Sequence, residues 1–174
     1  MADIPSLAGK IRDIPDFPEK GILFKDITPL LADAEAFRGA VGFMVEPFRG
    51  KGVDVVAAIE ARGYILGAPI AAALGTGFVP VRKVGKLPWK THRVEYALEY
   101  GSATIEIHQD ALLSGHQVLI VDDVLATGGT LAATIKLVEQ SGARVAGMAV
   151  LLEIAALGGR RHLAGYDLYA LLQA

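Results

Sequence analysis

The chain of 174 residues contains no cysteine, which excludes a disulfide framework and any metal site built on thiolates. It also lacks a long hydrophobic run, since its apolar stretches, such as Val145 to Leu152, are far too short to cross a bilayer. The N-terminus does not have the pattern of a signal peptide. A formal net charge of −2 is not the basic excess of a general nucleic-acid binder. We therefore expect a cytoplasmic protein without membrane or nucleic-acid partners.

Hydrophobic residues make up 52% of the chain and charged residues 21%, as in a globular domain. The apolar patterning predicts strands that alternate with helices, which is typical of an α/β fold with a parallel sheet. The expected strands are 53–59, 78–82, 118–121, 145–152 and 166–171. The expected helices are one from Asp33, its N-cap, to about Phe48, one over 64–74 and one from about Thr130. The first thirty residues are interrupted by prolines and predict a short helix followed by irregular chain. Residues 83–108 predict a long loop and then a β-hairpin, together forming an inserted flap.

The most informative motif is VLIVDDVLATGGT, residues 118–130. Two adjacent carboxylates, Asp122 and Asp123, follow an apolar strand, where repulsion and desolvation disfavour both charges unless a ligand or cation compensates them. Small residues then lead into a helix, whose free N–H groups favour a phosphate. A ligand that suits both features is a phosphorylated sugar, with its hydroxyls on the acids and its phosphate in the turn.

Three other interpretations of this motif can be tested against the rest of the sequence. The magnesium-binding strand of a P-loop ATPase requires GxxxxGK[ST], and the sequence has no such run. Receiver domains of two-component signalling also contain VLIVDD, but near their start and with a phosphoacceptor Asp on a later strand, whereas here the only later Asp is Asp167. A purely structural strand end with a capping acid explains one Asp, but it explains poorly two followed by TGGT.

The thirteen residues resemble the phosphoribosyl-pyrophosphate (PRPP) signature of the type I phosphoribosyltransferases. Further segments, in the same order, are similar to the adenine phosphoribosyltransferases within that group, and the resemblance extends from about Ile14 to Leu172. These segments are DFPEKGILFKDITPLL, EARGYILGAPIA, FVPVRKVGKLP, LEYGSATIEIH, Leu152-Glu153 and Gly159-Arg160. The resemblance implies a single domain over residues 1–174 with the type I phosphoribosyltransferase fold. That fold has helices on both faces of a parallel sheet, an N-terminal hood over about residues 1–32 that covers the base, and a hairpin flap over about 83–108.

The resemblance also implies the reaction and the residues that bind PRPP. The reaction is transfer of phosphoribose from PRPP to adenine, which gives AMP and pyrophosphate. Residues Ala126, Thr127, Gly128, Gly129 and Thr130 would hold the 5′-phosphate, while Asp122 and Asp123 face the ribose hydroxyls. Mg²⁺ is expected as a cofactor carried by the diphosphate, near these two acids.

The leaving diphosphate calls for cations, and the resemblance implies where they lie. Arg62 follows a strand end and is suited to fork two phosphate oxygens. In the family this turn often carries a non-proline cis peptide bond. Arg82, Lys83 and Lys86 are the next expected ligands, and Tyr100 would help to seat the closed flap. Trp89 departs from the family pattern, which often has Gly or another polar residue there; Lys90, His92 and Arg93 are predicted to be solvated loop residues.

The base and the proton transfer complete the predicted site. Phe24 would stack on the purine, the backbone of Leu23 and Lys25 would interact with its Watson–Crick edge, and Leu125 would contact the opposite face. Glu99 is the expected general base, which takes the proton from the purine N7 while N9 attacks.

Two other functions remain open at this point. One is a phosphoribosyltransferase for another purine base, and the other is a PRPP-sensing regulator without turnover. The family is commonly homodimeric, so a homodimer is expected.

Overall fold

The computed structural model describes residues 3–97 and 101–174, and the chain divides into two units, Met1–Phe43 and Met44–Ala174. The first unit contains two short helices, two short strands and the start of a longer helix. These elements are α1 (Ile4–Ala8), β1 (Arg12–Pro15), β2 (Leu23–Asp26), α2 (Thr28–Ala32) and α3 (Ala34–Val45). Asp33 caps α3, because its Oδ1 accepts hydrogen bonds from the Ala36 and Glu35 amides at 2.9 and 3.0 Å.

The β1–β2 hairpin replaces the irregular chain that we predicted for this region. The two strands pair antiparallel, with Arg12 opposite Asp26 and Asp13 opposite Lys25. Both cross-strand pairs are ion pairs of 2.7 Å. Since each four-residue strand has two adjacent charged residues beside two adjacent apolar ones and no alternation, the hydrophobic pattern gave no strand signal here.

The second unit is built on a seven-stranded sheet, in the order β5-β6-β4-β3-β7-β8-β9. The strands β3, β4, β7, β8 and β9 are parallel, while β6 runs antiparallel to both β4 and β5. The strand and helix bounds follow, with three 3₁₀ turns. They are β3 (Val55–Ile59), α4 (Arg62–Leu74), β4 (Gly77–Lys83), β5 (Thr91–Ala97), β6 (Ser102–His108), β7 (Gln117–Leu125), α5 (Gly129–Gln140), β8 (Arg144–Glu153), β9 (Leu168–Gln173), and turns Glu46–Phe48, Ala155–Leu157 and Gly159–Leu163. The predicted α/β fold with a mostly parallel sheet is confirmed.

Helices α4 and α5 cover opposite faces of this sheet. Ala57 lies in the buried cluster that includes Leu131 and Ile135 of α5. The next residue, Ala58, faces Gly67 of α4, where an added Cβ would lie only 2.4 Å from the Ala58 Cβ. Because successive strand residues point to opposite faces, these two contacts place a helix on each side, as predicted.

The segment before the hairpin differs from the predicted long loop. Strand β5 begins at Thr91, so His92 and Arg93 lie in a strand instead of in a loop. Within β5 only Val94 is buried, and this single inward residue gives no alternation that a sequence pattern could show. Trp89 precedes the strand with 63% of its surface exposed. In the described part of the chain no helix has the length and apolar character needed to span a membrane.

Candidate active site

The two predicted acids lie at the carboxyl end of β7, in the middle of the parallel sheet. The strand continues to Leu125, beyond the predicted end at Val121, so both carboxylates belong to the strand itself. Asp122 is 9% exposed and Asp123 is 5% exposed. Ligands of open α/β sheets bind beyond the carboxyl ends of the strands, which makes this edge the candidate site.

The two carboxylates are compensated unequally. Arg62, at the start of α4, places its Nε 2.6 Å from Asp123 Oδ2. This contact is an ion pair by distance, since Oδ2 accepts no hydrogen bond of acceptable geometry within the described residues. Asp122 Oδ1 accepts only its neighbour's amide, at 2.9 Å, among the hydrogen bonds of the described chain. Burial, and then the charge of Asp123, raise the pKa of Asp122 well above its usual value, because both favour the neutral acid.

A pocket follows directly from the acids and leads into helix α5. Its lining is Asp122 and residues 124–131. Gly128 has φ 86°, a left-handed conformation that disfavours a side chain, and it immediately precedes the first turn of the helix. The first N–H groups of a helix have no partner inside it and carry partial positive charge. The structure thus places Asp122 in one pocket with the predicted phosphate-binding residues 126–130, and Asp123 follows it in the same strand.

The phosphate loop, residues 126–130, is supported from behind by the turn Gly159–Leu163. A Cβ added to Gly159 would lie 2.3 Å from Ala126 O, and one added to Gly128 would lie 2.5 Å from Gly159 O. His162 Nδ1 is 2.8 Å from Thr127 O, and since a carbonyl only accepts, the nitrogen must donate. The loop is therefore fixed by backbone-to-backbone packing that tolerates no side chain.

The hairpin strand β5 contacts the phosphate loop through Tyr96. The Thr130 hydroxyl donates to the Tyr96 hydroxyl at 3.2 Å. The Tyr96 ring also lies 3.3 Å from the position of a Cβ added to Gly129. Sequence reasoning missed Tyr96 because nothing in its local pattern shows which element faces it.

The turn after β3 carries the predicted cis peptide bond, between Glu60 and Ala61. Gly63 allows this turn to approach the acids closely, because an added Cβ would lie 2.9 Å from Asp122 Oδ1. Glu60 accepts hydrogen bonds from Arg82 Nε at 2.9 Å and from the Lys83 amide at 2.7 Å. The strands β3 and β4 are thereby joined at the end where the cations lie.

Three of the cationic residues that are predicted to bind the diphosphate lie at the end of β4 and in the turn after it. Lys83 and Lys86 are exposed, and neither ammonium forms an ion pair with a described residue. The turn is anchored on Glu106, a fully buried carboxylate that sequence reasoning missed. Burial acts to raise the pKa of Glu106, but hydrogen bonds from Leu87, Thr91 and Lys86 and the charge of Arg93 hold the pKa below its ordinary value.

The predicted base-binding residues lie mainly in the first unit. Leu23 is 49% exposed and Lys25 pairs with Asp13, while Phe24 contacts Phe17 edge-on with ring centroids 5.1 Å apart. Leu125 borders the pocket, but its side chain is 1% exposed and belongs to the core. The roles of these residues stay predictions.

Two further predicted residues, the general base Glu99 and its neighbour Tyr100, lie outside the described residues.

Comparison with known proteins places this geometry among related chains. The sequence profile of the family described as "Phosphoribosyl transferase domain" matches residues 31–166. An adenine phosphoribosyltransferase of Clostridium perfringens is 58% identical over 167 residues, covering 96% of this chain and 97% of the relative. One of Acidothermus cellulolyticus is 54% identical over 99% of this chain and 98% of its own.

Solved structures of the same description superpose closely on the fold. The crystal structure of adenine phosphoribosyltransferase from Thermoanaerobacter pseudethanolicus has a TM-score of 0.96 and 51% identity, covering 99% of this chain and all of that one. The Saccharomyces cerevisiae protein, complexed with an imino-altritol bisphosphate and adenine, has a TM-score of 0.92 and 37% identity, covering 97% and 98%.

Proposed function

The chain belongs to the adenine phosphoribosyltransferase family, and we propose that it transfers 5-phosphoribose from PRPP to adenine, forming AMP and pyrophosphate in purine salvage. The observation that carries this function is the pocket at the end of β7. Asp122 lines this pocket with a glycine-containing loop at the start of the 12-residue helix α5, and Asp123 follows it in the strand, so the site offers carboxylates for a diol and amides for a phosphate of one ligand.

We assign the ribose 5-phosphate part of PRPP to this pocket. The 5′-phosphate would accept hydrogen bonds from the amides of residues 126–130 and from the hydroxyls of Thr127 and Thr130. The ribose 2′- and 3′-hydroxyls would donate to Asp122 and Asp123. Charge-assisted bonds of this kind are about twice as strong as neutral ones, and they compensate the two acids that repel each other in the free protein.

The departing diphosphate is assigned to the cations around the turn after β3 and the end of β4. Arg62 already contacts Asp123, so a ligand on the two acids lies within reach of its guanidinium. Lys83 and Lys86 present exposed ammonium groups, and Arg82 is held by Glu60. These charges would stabilise the negative charge that grows on the diphosphate as its bond to the anomeric carbon breaks.

Mg²⁺ fits this site as an ion that the substrate carries. Carboxylate oxygens suit it, but the described residues contain no cluster of three metal-ligating side chains, so Asp122 and Asp123 offer at most part of a coordination shell. The diphosphate and water would supply the other oxygens, as Mg²⁺ commonly requires. When bound, the ion neutralises charge on the leaving group.

The base and the proton transfer are assigned by residue. The backbone of Leu23 and Lys25 would interact with the Watson–Crick edge of adenine, Phe24 would stack on the ring, and Leu125 would contact the other face. A backbone carbonyl that accepts from the exocyclic amine selects against hypoxanthine, which has an oxygen at that position.

In the reaction the bond from C1 to the diphosphate oxygen breaks, and its electron pair leaves with pyrophosphate. The lone pair of adenine N9 forms the new bond to C1, and the N7 proton passes to Glu99. Tyr100 would help to close the flap over the reactants.

The test is production of AMP from adenine and PRPP with Mg²⁺, against a panel of hypoxanthine, guanine and xanthine. Turnover of adenine to AMP, with no turnover of the other three bases, supports the proposal. Turnover of another base would instead indicate a different purine specificity, and PRPP binding without turnover would indicate a regulator.

A binding measurement tests the site itself. The double variant Asp122→Asn with Asp123→Asn should weaken PRPP binding in calorimetry, while Asp110→Asn, an exposed carboxylate beyond β6, should bind normally. Normal binding by the double variant would contradict the diol assignment.

We also propose a cytoplasmic homodimer from the resemblance, and light scattering on the purified protein checks the dimer.

A further inference from the structure

Glu106 is the most deeply buried carboxylate of the described chain and has no part in the reaction outlined above. It lies in β6, with Arg82 of β4 and Arg93 of β5 directly opposite it in register. Its exposed fraction is 0%. Residues opposite each other in adjacent strands point to the same face of a sheet, so a carboxylate stands between two guanidinium side chains.

The carboxylate of Glu106 is saturated by hydrogen bonds from the segment that precedes the hairpin. Oε1 accepts from the amides of Lys86 and Leu87, both at 3.0 Å. Oε2 accepts from Thr91 Oγ1 and Arg93 Nε, both at 3.1 Å. Four donors from one short stretch therefore converge on one buried group, and an ionised carboxylate is the side chain that accepts on both oxygens at once.

The backbone of Lys86 is fixed on both sides by this arrangement. Its amide donates to Glu106, and its carbonyl accepts from Arg82 Nη1 at 3.1 Å. Arg82 in turn is tied to Glu60. The Lys86 side chain, by contrast, is exposed and forms no ion pair with a described residue. A fixed backbone thus carries a free ammonium group.

The charges around the turn divide into a compensated set and an uncompensated set. Arg82 pairs with Glu60, and Arg93 pairs with Glu106. Lys83 and Lys86 form no ion pair with a described carboxylate, although the charge of Lys86 also acts on Glu60. The two carboxylates thus pair with the two arginines that build the turn and leave both exposed lysines available for an anion.

We propose that Glu106 is a positioning residue that holds the backbone of Lys86 so that its ammonium meets the diphosphate of PRPP. The inference rests on the proposed function, because it takes the diphosphate as the anion. Glu106 itself touches neither substrate; it acts through the turn, and its loss should weaken recognition of the diphosphate while recognition of the 5′-phosphate stays intact.

The variant Glu106→Gln tests this with little change of shape. A carboxamide accepts through its oxygen and donates through its nitrogen. Its NH₂ group therefore faces either the amide donors of Lys86 and Leu87 or the side-chain donors of Thr91 and Arg93, and those hydrogen bonds are lost. Glu95→Gln is the matched control, since it neutralises an exposed carboxylate of the same hairpin. Thermal unfolding of each variant shows whether it is folded.

Two ligands separate positioning from general damage. PRPP carries the diphosphate, whereas AMP has only the 5′-phosphate. For Glu106→Gln the KM for PRPP should rise about tenfold, the effect of losing one charge-assisted contact, while AMP affinity in calorimetry and the KM for adenine change less than about twofold. Equal losses for PRPP and AMP, or no loss for either, would overturn the proposal. If the wild type neither binds PRPP nor makes AMP, the proposed function itself fails.

A double-mutant cycle with Lys86→Ala shows whether Glu106 acts through that lysine. If it does, Lys86→Ala raises the KM for PRPP in the wild-type background and adds little in the Glu106→Gln background. Additive effects would overturn the mechanism. Should Glu106→Gln fail to fold, Thr91→Val removes one of the four donors with less disturbance, and the same PRPP-against-AMP comparison and cycle apply.

Discussion

The substitution Gly159→Ala tests whether the turn after β8 holds the phosphate loop in place. Gly159 does not have a left-handed φ, so alanine suits its backbone and only space is at issue. The added Cβ would lie 2.3 Å from Ala126 O, 2.8 Å from Leu125 Cδ1 and 3.0 Å from Gly128 N. Its nearest neighbours are mostly backbone atoms of the loop, which cannot rotate away as a flexible side chain would.

The size of the effect follows from these distances. Real Cβ atoms essentially never approach another heavy atom closer than 3.0 Å, so Ala126 O must move by about 0.7 Å. A shift of that size lengthens an N–H···O bond from about 2.9 to about 3.6 Å, beyond the range of a hydrogen bond. Loss of one or two charge-assisted bonds to phosphate, each about 1.5–3 kcal/mol, weakens binding roughly tenfold or more.

Calorimetric titration with AMP and with ribose 5-phosphate measures this loss directly, because on the proposed assignment both ligands would place a phosphate in the loop. Gly42→Ala in α3 is the matched control: a Cβ there meets nothing within 4 Å, and we expect unchanged binding with slightly higher stability. If Gly159→Ala binds AMP as tightly as the wild type, the loop is not held by this packing and the reasoning is refuted.

Three further predictions concern the acids and the hairpin. Glu99→Leu should lower kcat for AMP formation at least tenfold with little change in PRPP affinity, if the carboxylate takes the purine proton; unaltered turnover removes Glu99 from the mechanism. Because the folded protein raises the pKa of Asp122 above 3.8, this group stabilises the fold at low pH and the stability is lost as pH rises through the folded pKa. Denaturation of Asp122→Asn and wild type over pH 4–8 should therefore show the variant gaining relative stability towards pH 8, and a constant difference would contradict this. Tyr96→Phe removes the partner of the Thr130 hydroxyl, so the affinity for AMP should change by about threefold, the effect of one neutral hydrogen bond; the same affinity in Thr130→Val and in the double variant would show that the two hydroxyls act together.

The parallel sheet and its acidic edge were predictable because local sequence carries their signal. The apolar runs that form β3, β7 and β8 are buried on both faces, and long hydrophobic strands followed by polar turns indicate a parallel sheet. The position of residues 126–130 beside this edge was predictable for the same reason, since they are contiguous and lead directly into α5, while their binding of a phosphate stays a prediction.

The supporting residues were not predictable, because their partners are distant in sequence. Glu106 receives its hydrogen bonds from residues 13 to 20 positions earlier, in a segment that was predicted to be a loop before the hairpin. Gly159 meets the phosphate loop from more than thirty residues away, and only the fold makes its lack of a side chain meaningful. Burial of a single face in β5 likewise concealed a strand that carries Tyr96 to the loop.

The negative charges of the two acids at the end of β7 are compensated unequally by the surrounding groups. Arg62 balances the charge of Asp123, whereas Asp122 lies close against Gly63 and, among the described residues, accepts a hydrogen bond only from the neighbouring amide. A raised pKa for Asp122 means that its burial and the charge of Asp123 oppose its ionisation. A ligand that supplies hydroxyl donors, or a cation beside them, removes that opposition, so part of its binding free energy comes from relieving the pair. On the proposed assignment, a chain without this repulsion would be more stable alone and would hold a sugar diol less tightly, which would explain why an apolar strand ends here in two carboxylates.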